Sequence, residues 1–398
     1  MSKREKIEAA KMEPTIWSKI PEELLIEILI RVPIKFLVRL TQLSKSWYAL
    51  ITSHGFIFTH VSKLQADGSD RSSRWLLRFG AKCVGTYLLC SDDYFDLKSS
   101  DMLHPYPTFD GYYSADAEDD FPAKIEVPLT RPHHDYRIVG SCNGLHCFSN
   151  NQFGESAKPI VVWNPSIEKS VELPLPSIHP DSDRSLVGFG CDLLGLDYKV
   201  VRIVIPEEGN VAPAQTEVYS LVSKGWKVVA SVPNCQVIKT YSPVLVNGVL
   251  HWLTHEEDRG SMFLGFNLKY ETFSEISLPE DLAGQPTESL RPFVKGDRLA
   301  VMKYDKVQEF GSIWVMKEYG NVYSWEMLHE FGMAEGIDGV IGFAKNGHCL
   351  ATMGNGLASF DPQNSRKVKI YRIGGTENSL QAVHFVESLV LLEGRCRF

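Results

Sequence analysis

Several things are missing from this chain, and each absence removes a class of function. Its eight cysteines (Cys83, Cys90, Cys142, Cys147, Cys191, Cys235, Cys349 and Cys396) are scattered with no C-x-x-C pair. That spacing gives no sign of a zinc knuckle or a dithiol redox motif, and the expectation is free, buried thiols in a reducing compartment. There is no G-x-x-x-x-G-K-[ST] or G-x-G-x-x-G segment, so nucleotide chemistry has no support. No apolar run is long enough to span a bilayer, and the opening MSKREKIEAAKMEP mixes both charge signs without the apolar centre of a secretory signal. No membrane association is expected, and the location expected is the cytoplasm or nucleus. A basic excess is missing too: the formal net charge is −8, which argues against a nucleic-acid partner.

What is present is an ordinary folded composition, 44% apolar and 23% charged over 398 residues, enough for two or three domains or one large β architecture. The negative charge is unevenly placed. Asp92, Asp93, Asp96, Asp101, Asp110, Asp116, Glu118, Asp119 and Asp120 stand against Lys98 alone. Such a run is either a solvated loop or an anionic surface that steers a basic protein partner.

Two textures follow each other. In IPEELLIEILIRVPIKFLVRLTQLSKSW, from Ile20 to Trp47, the residues Leu24, Leu25, Ile28, Leu29 and Val32 share one face of a helical period. Pro21 suits a first helical position and Pro33 ends the helix. A second short helix is expected from Lys35 to Gln42, with Leu37 and Leu40 on one side. Ser44 then reads as the N-cap of a third, which carries Trp47, Leu50 and Ile51. Ile26, Ile30, Phe36 and Val38 lie off these faces. The module therefore holds more apolar surface than its own small core can use, and the surplus packs either on the rest of the chain or on another protein's helices.

Beyond Leu64 the chain turns to short runs rich in β-branched and aromatic residues, about two dozen in all, bounded by Gly, Pro, Asn and Asp. Asn143-Gly144, Gly195, Asn247-Gly248, Gly296-Asp297 and Asn346-Gly347 punctuate them at glycine-to-glycine intervals of 51, 53, 48 and 51 residues. A period near 50 with about four strands per unit is the pattern of β-propeller blades. Five units begin at or after Gly144, and residues 74–129 leave room for a sixth. The fold class expected is thus a small all-α module of three short helices followed by an all-β domain, a β-propeller of about six blades. A sandwich or irregular β array is the alternative. The divisions are residues 15–60 for the helices, 61–73 for a linker and 74–398 for the β domain, whose last strands, around Ala382 to Leu392, close the ring against the first.

Candidate chemistry is sparse. Gly140-Ser141-Cys142-Asn143-Gly144 matches a nucleophile-elbow pattern, but an elbow needs a helix after the turn, and the following LHCFSN alternates like a strand. His133-His134-Asp135 would point to opposite faces of an extended segment, so it reads as a solvated loop. His146, His251 and His348 recur shortly after the turn glycines and read as satisfied structural histidines. Trp163, Trp226, Trp252, Trp325, Tyr219 and Phe273 read mainly as fillers of the wedges between blades. No catalytic residue, metal site or cofactor is expected.

The opening stretch resembles an F-box, whose marks fall on Ile20, Pro21, Leu24, Ile28, Leu29, Val32, Pro33, Leu37, Leu40, Lys45, Trp47, Leu50 and Phe56. Ile20 departs from the usual Leu, and Thr41 to Ser44 stand where Arg-Cys-Val-Cys is common. The remainder, through GSCNGLHCF, VVWNPSIEKSVELP, GFGCDLLGLDYKVVRI, EVYSLVSKGWKVV, VNGVLHWL and SFDPQNSRKVKIY, resembles the plant F-box-associated, kelch-like region and is most similar to the S-locus F-box group of pollen. The resemblance implies a non-catalytic substrate receptor of a Skp-cullin-F-box ubiquitin ligase. Its partners would be a Skp-type adaptor, through it a cullin and a RING protein, and a protein substrate, for the S-locus group a basic non-self S-RNase. It assigns adaptor docking, together with the core of the module, to Pro21, Leu24, Ile28, Leu29, Pro33, Leu37 and Trp47. The acidic residues Asp92, Asp93, Asp116, Glu118, Asp119 and Asp120 become the candidate substrate patch.

Overall fold

The computed structural model describes residues 20–66, 74–81, 84–91, 124–128, 136–150, 159–178, 185–192, 197–206, 213–229, 236–237, 242–256, 258–305, 310–332, 337–344, 346–353, 356–371 and 380–390. The described residues open with four helices: α1 (Glu22–Leu29), α2 (Ile34–Leu40), α3 (Lys45–Ile51) and α4 (His54–Ala66). Pro21 and Pro33 are the N-cap residues of α1 and α2, each with extended backbone (ψ 142° and 141°). Pro21 thus sits one residue outside the helix rather than in its first turn, where a ring without an N–H costs equally little. Ser44 caps α3, its Oγ accepting from the Trp47 N–H at 3.2 Å. α4 runs on past residue 60. Phe56, Ile57, His60 and Val61 bury one of its sides, while Gly55 and the β-branched Ile57, Thr59 and Val61 weaken its local helical signal.

Six antiparallel sheets follow. Blade 1 holds β1 (Arg74–Ala81), β2 (Val84–Ser91) and β3 (Lys124–Ile125); blade 2 holds β4 (Arg137–Cys142), β5 (Leu145–Ser149), β6 (Ile160–Asn164) and β7 (Lys169–Glu172). Blade 3 holds β8 (Ser185–Cys191), β9 (Tyr198–Val204), β10 (Gln215–Ser220) and β11 (Gly225–Val229). In blade 4 the first strand is split into β12 (Gln236–Val237) and β13 (Val244–Val246), both paired with β14 (Val249–Glu256), followed by β15 (Gly260–Asn267) and β16 (Thr272–Ser277). A short helix α5 (Glu280–Ala283) leads to blade 5, with β17 (Leu290–Lys295), β18 (Arg298–Asp305), β19 (Phe310–Met316) and β20 (Trp325–Gly332). Blade 6 holds β21 (Ile337–Phe343), β22 (Cys349–Met353), β23 (Gly356–Asp361) and β24 (Asn364–Tyr371). Finally β25 (Gln381–Phe385) pairs antiparallel with β1, so that blade 1 is completed by the far end of the chain. Around the ring β25 touches β4, β4 touches β8, β8 touches β14, and β13, on the inner side of β14, leads on to β17, β21 and back to β25. Six blades and the closing strand agree with the period read from the turns. Among the described residues, no helix is long and apolar enough to cross a membrane.

The burial pattern explains why the strands read as they do. Every position of β5 and β6 is buried, because a blade is covered on both faces by its neighbours. The outermost strands β7, β16 and β20 are largely exposed, and β11 is exposed to half-buried throughout. Six apolar clusters fill the six wedges between blades, and the one between blades 2 and 3 is continuous with the buried side of the helices, where Leu29, Leu37 and Ile51 join Val139, Leu145, Val187 and Leu389.

Asn143-Gly144 (φ 51° and 77°) and Asn247-Gly248 (φ 52° and 71°) place both turn residues in the left-handed region, as their sequence demands. At Gly296 (φ 65°) and Gly347 (φ 86°) the glycine alone takes it. Asn346 instead uses its side chain, whose Oδ1 accepts from the His348 N–H at 2.9 Å. Gly195 lies outside the described residues. Gly144 has a second reason to be glycine: a Cβ there would meet the Val386 carbonyl at 2.3 Å.

Candidate functional site

The helices divide the residues that sequence alone assigned to docking and core together. Leu29 and Leu37 are 3% and 0% exposed, and Trp47 is half-buried against the same core. Leu24 and Ile28, one turn apart on the other side of α1, are 56% and 47% exposed, and Pro21 and Pro33 are exposed beside them in sequence. Of the surplus apolar residues, Ile30 is buried and Ile26 and Val38 pack against the shared cluster, whereas Phe36 is 53% exposed. Leu43 (72%), Tyr48 and Phe58, which the sequence reading left out, are exposed as well. One side of the module thus packs on blades 2 and 3, the first destination considered for the surplus, and the other carries solvent-facing apolar groups.

Charged groups frame the exposed side without covering it. The Arg39 guanidinium lies 5.9 Å from the Phe36 ring centre. Glu27, between Leu24 and Ile28, accepts from Arg31 at 2.8 Å and from Lys63 of α4 at 3.4 Å. Those two partners hold its carboxyl below the usual range, and the Lys63 contact ties α4 to α1.

The propeller offers little for bond-making chemistry. Cys142 ends a strand and is followed by a hairpin, not a helix, so its thiol is not raised at a helix N-terminus. Its hydrogen bond with Cys191, and then burial, push that thiol well up, away from the thiolate a nucleophile needs. His251 donates and accepts through both ring nitrogens, with the Val244 carbonyl at 3.2 Å and the Tyr319 hydroxyl at 2.9 Å. His146 departs from the expected satisfied histidine. It is fully buried with neither ring nitrogen hydrogen-bonded, and its ring lies against that of Phe385, 5.5 Å between centres. His348 bonds to Asn346. His251 and His255 stand four apart, but on a strand that separates them by about 13 Å. Among the described residues no group of three or more His, Cys, Asp or Glu is placed to hold a metal. His133, His134 and Asp135 lie outside the described residues.

The large aromatic residues are mostly wedge fillers. Trp163, Trp252 and Tyr219 are buried; Trp226, Trp325 and Phe273 are half-buried, and the two tryptophans donate to the carbonyls of Pro174 (2.8 Å) and Ser277 (3.3 Å). A buried pair escaped sequence reading. Glu217 accepts from Arg202 at 2.5 Å and from the Ser177 and Ile178 N–H groups at 2.8 and 3.1 Å, fixing the crossing from blade 2 to blade 3.

Asp92, Asp93, Asp116, Glu118, Asp119 and Asp120 lie outside the described residues, but the strands that frame them do not. The stretch joins the end of β2 to the start of β3. Counted inward to outward from β25, β2 and β3 are the third and fourth strands of blade 1, so the end of β2 and the start of β3 lie at the same face of the ring as the Asn-Gly turns.

Comparison with known proteins agrees with this division. The F-box domain model matches residues 17–59, and the F-box associated beta propeller domain model matches residues 114–391. An F-box/kelch-repeat protein of Arabidopsis thaliana is 25% identical over 370 residues, covering 88% of this chain and 94% of the relative. The F-box protein CPR1 of Arabidopsis thaliana is 28% identical over 403 residues, covering 94% and 89%. Among solved structures, TolB from Acinetobacter baumannii aligns over 83% of this chain and 72% of that one, at 10% identity and a TM-score of 0.47. With its helices matched as an F-box and well over half its length matched as the associated propeller, the chain belongs to the F-box proteins that carry an F-box associated β-propeller domain.

Proposed function

We propose that this protein is a substrate-receiving subunit of a Skp-cullin-F-box ubiquitin ligase. The helices dock on a Skp-type adaptor, which links them to a cullin and a RING protein. The propeller holds a protein substrate while a separate conjugating enzyme delivers ubiquitin, so no residue of this chain takes part in the transfer itself. The observation that carries the reading is the outward apolar side of the helices, Pro21, Leu24, Ile28, Phe36 and Leu43, on a module whose other side is already used by the chain's own core. Co-purification of the full chain with a Skp-type adaptor tests it. The wild type is expected to give a stable one-to-one complex. A Leu24→Asp/Ile28→Asp variant should lose at least tenfold in affinity while melting as the wild type does, because both changes are at exposed positions. If the wild type does not bind, the reading fails; if the variant binds equally well, docking uses another surface.

The finer reading is that the chain is of the S-locus F-box group and recruits basic, non-self S-RNases in pollen. It is supported by the resemblance of the blade motifs and by the charge complementarity of the acidic run. Reversing Asp116, Glu118, Asp119 and Asp120 to Lys should weaken binding of such a ribonuclease at least tenfold at low salt and much less at high salt. Unchanged affinity at low salt would leave the adaptor reading intact and point to a different protein target.

A further inference from the structure

β4 and β8, the first strands of blades 2 and 3, run side by side in the ring, and each ends on a cysteine. The sulfurs of Cys142 and Cys191 are 2.6 Å apart. That is well inside the roughly 3.5–4.0 Å at which non-bonded heavy atoms rest, and close to the roughly 2.05 Å of a disulfide bond. Two thiolates on one zinc ion, with bonds of about 2.3 Å at tetrahedral angles, would stand about 3.7 Å apart, so a shared metal does not fit. The pair is also held from the side: the Asn143 amide donates to the Cys191 sulfur at 3.4 Å and to the Tyr198 hydroxyl at 3.1 Å.

We propose that Cys142 and Cys191 form a thiol–disulfide modification site, a reversible staple between blades 2 and 3 closed by a small-molecule disulfide of the glutathione class. Cys191 is the half-buried member and Cys142 the buried one, so the oxidant enters at Cys191. The Cys191 thiolate attacks one sulfur of oxidised glutathione, forming a mixed disulfide and expelling one glutathione thiolate. Once Cys191 carries glutathione, the thiol hydrogen bond that chiefly holds the Cys142 proton is gone; Cys142 then loses its proton, attacks the Cys191 sulfur and expels the second. The two protein S–H protons end on the two leaving glutathiones; the protein has lost two electrons and the oxidant has gained them. Two equivalents of reduced glutathione run the sequence backwards. The bond closes a loop of about 50 residues, which constrains the unfolded chain more than the folded one. Cys142 belongs to the apolar cluster that also contains Leu29, Leu37 and Ile51, so the staple sits in the wedge against which the helices pack.

The test uses the full-length chain equilibrated in glutathione buffers of graded ratio, alkylated in denaturant and mapped without reduction. Before alkylation the oxidised wild type is expected to be about 2 Da lighter than the reduced form; after it, mapping should yield a peptide linking Cys142 to Cys191, and the oxidised form should melt several degrees higher. In Cys191→Ser the linked peptide disappears, Cys142 is alkylated and the melting temperature no longer responds to the glutathione ratio. The proposal is overturned if both cysteines of the wild type stay alkylatable at every ratio. Pairing with other cysteines overturns it too, as does glutathione that remains on Cys191 without progressing to the internal bond.

Discussion

His146 and His251 follow equivalent turns of two blades, yet they are held in opposite ways. Both are neutral, for the same first cause: burial lowers His146 to about 3 and His251 to about 4, and it lowers His60 in α4 to about 4. In the unfolded chain each would titrate near 6.5. Below that pH the unfolded state binds protons that the folded state refuses, so stability present above about pH 6.5 is lost as the pH falls, down to about 4 for His60 and His251 and about 3 for His146. Each histidine contributes at most about 1.4 kcal/mol per pH unit to that slope. His146→Leu should reduce the slope of stability against pH between pH 6 and 4 by up to about 1.4 kcal/mol per pH unit. At pH 7.5 it should be neutral or stabilising by about 1 kcal/mol, because no hydrogen bond is lost and two unpaired buried nitrogens go. His251→Leu should flatten the slope equally but cost about 1–2 kcal/mol at pH 7.5, since the Val244 carbonyl and the Tyr319 hydroxyl lose their partner. Urea melts of both variants across this pH range decide the point. Equal effects at neutral pH would mean that the His146 ring has a partner after all.

At the scale of the element, α1 shows what a helical period can and cannot say. Leu24, Leu25, Ile28 and Leu29 form a stripe broad enough for two uses, and nothing local tells which edge is inward. The division is made by α2 and α4 and by side chains of blades 2 and 3 more than 100 residues away, so Leu29 turns inward and Leu24 outward for reasons that lie outside the helix. Capping was legible because it is local: Ser44 needs only the Trp47 N–H three residues on. α4 was not, because its stability comes from packing Phe56, Ile57 and Val61 rather than from propensity. The same division predicts opposite costs for the same substitution. Leu29→Asp should destabilise the helices by about 3–5 kcal/mol by burying an unpaired charge, whereas Leu24→Asp should change thermal stability by less than about 0.5 kcal/mol. Thermal melts of the two single variants, followed by circular dichroism, check this. Similar losses for both would mean that Leu24 is not on an open face.

At the scale of the whole molecule, the ring was legible because it repeats: a turn every 50 residues and four strands between turns are properties of the sequence. What the ring brings together was not, because contacts across the closure join residues more than 220 positions apart. Asn164 donates to the Ser388 and Val390 carbonyls at 3.0 and 2.8 Å, and the Ser388 N–H donates to Ser166 at 3.0 Å. These bonds lock the segment after β25 over the β6–β7 turn, and Gly144 leaves room for it. Without β25, the edge of β1 from Arg74 to Arg78 would be left unpaired beside the buried Trp75 and Leu77, an open sheet edge of the kind that pairs with other chains. A chain ending before Gln381 should therefore lose cooperative melting and elute as aggregates in size-exclusion chromatography. Asn164→Ala keeps β25 and removes only the clasp, so it should stay monomeric and lose about 1–3 kcal/mol. If the truncated chain remained monomeric with an unchanged melting temperature, closure by the final strand would contribute nothing to the ring. The stability would then reside in the wedges alone.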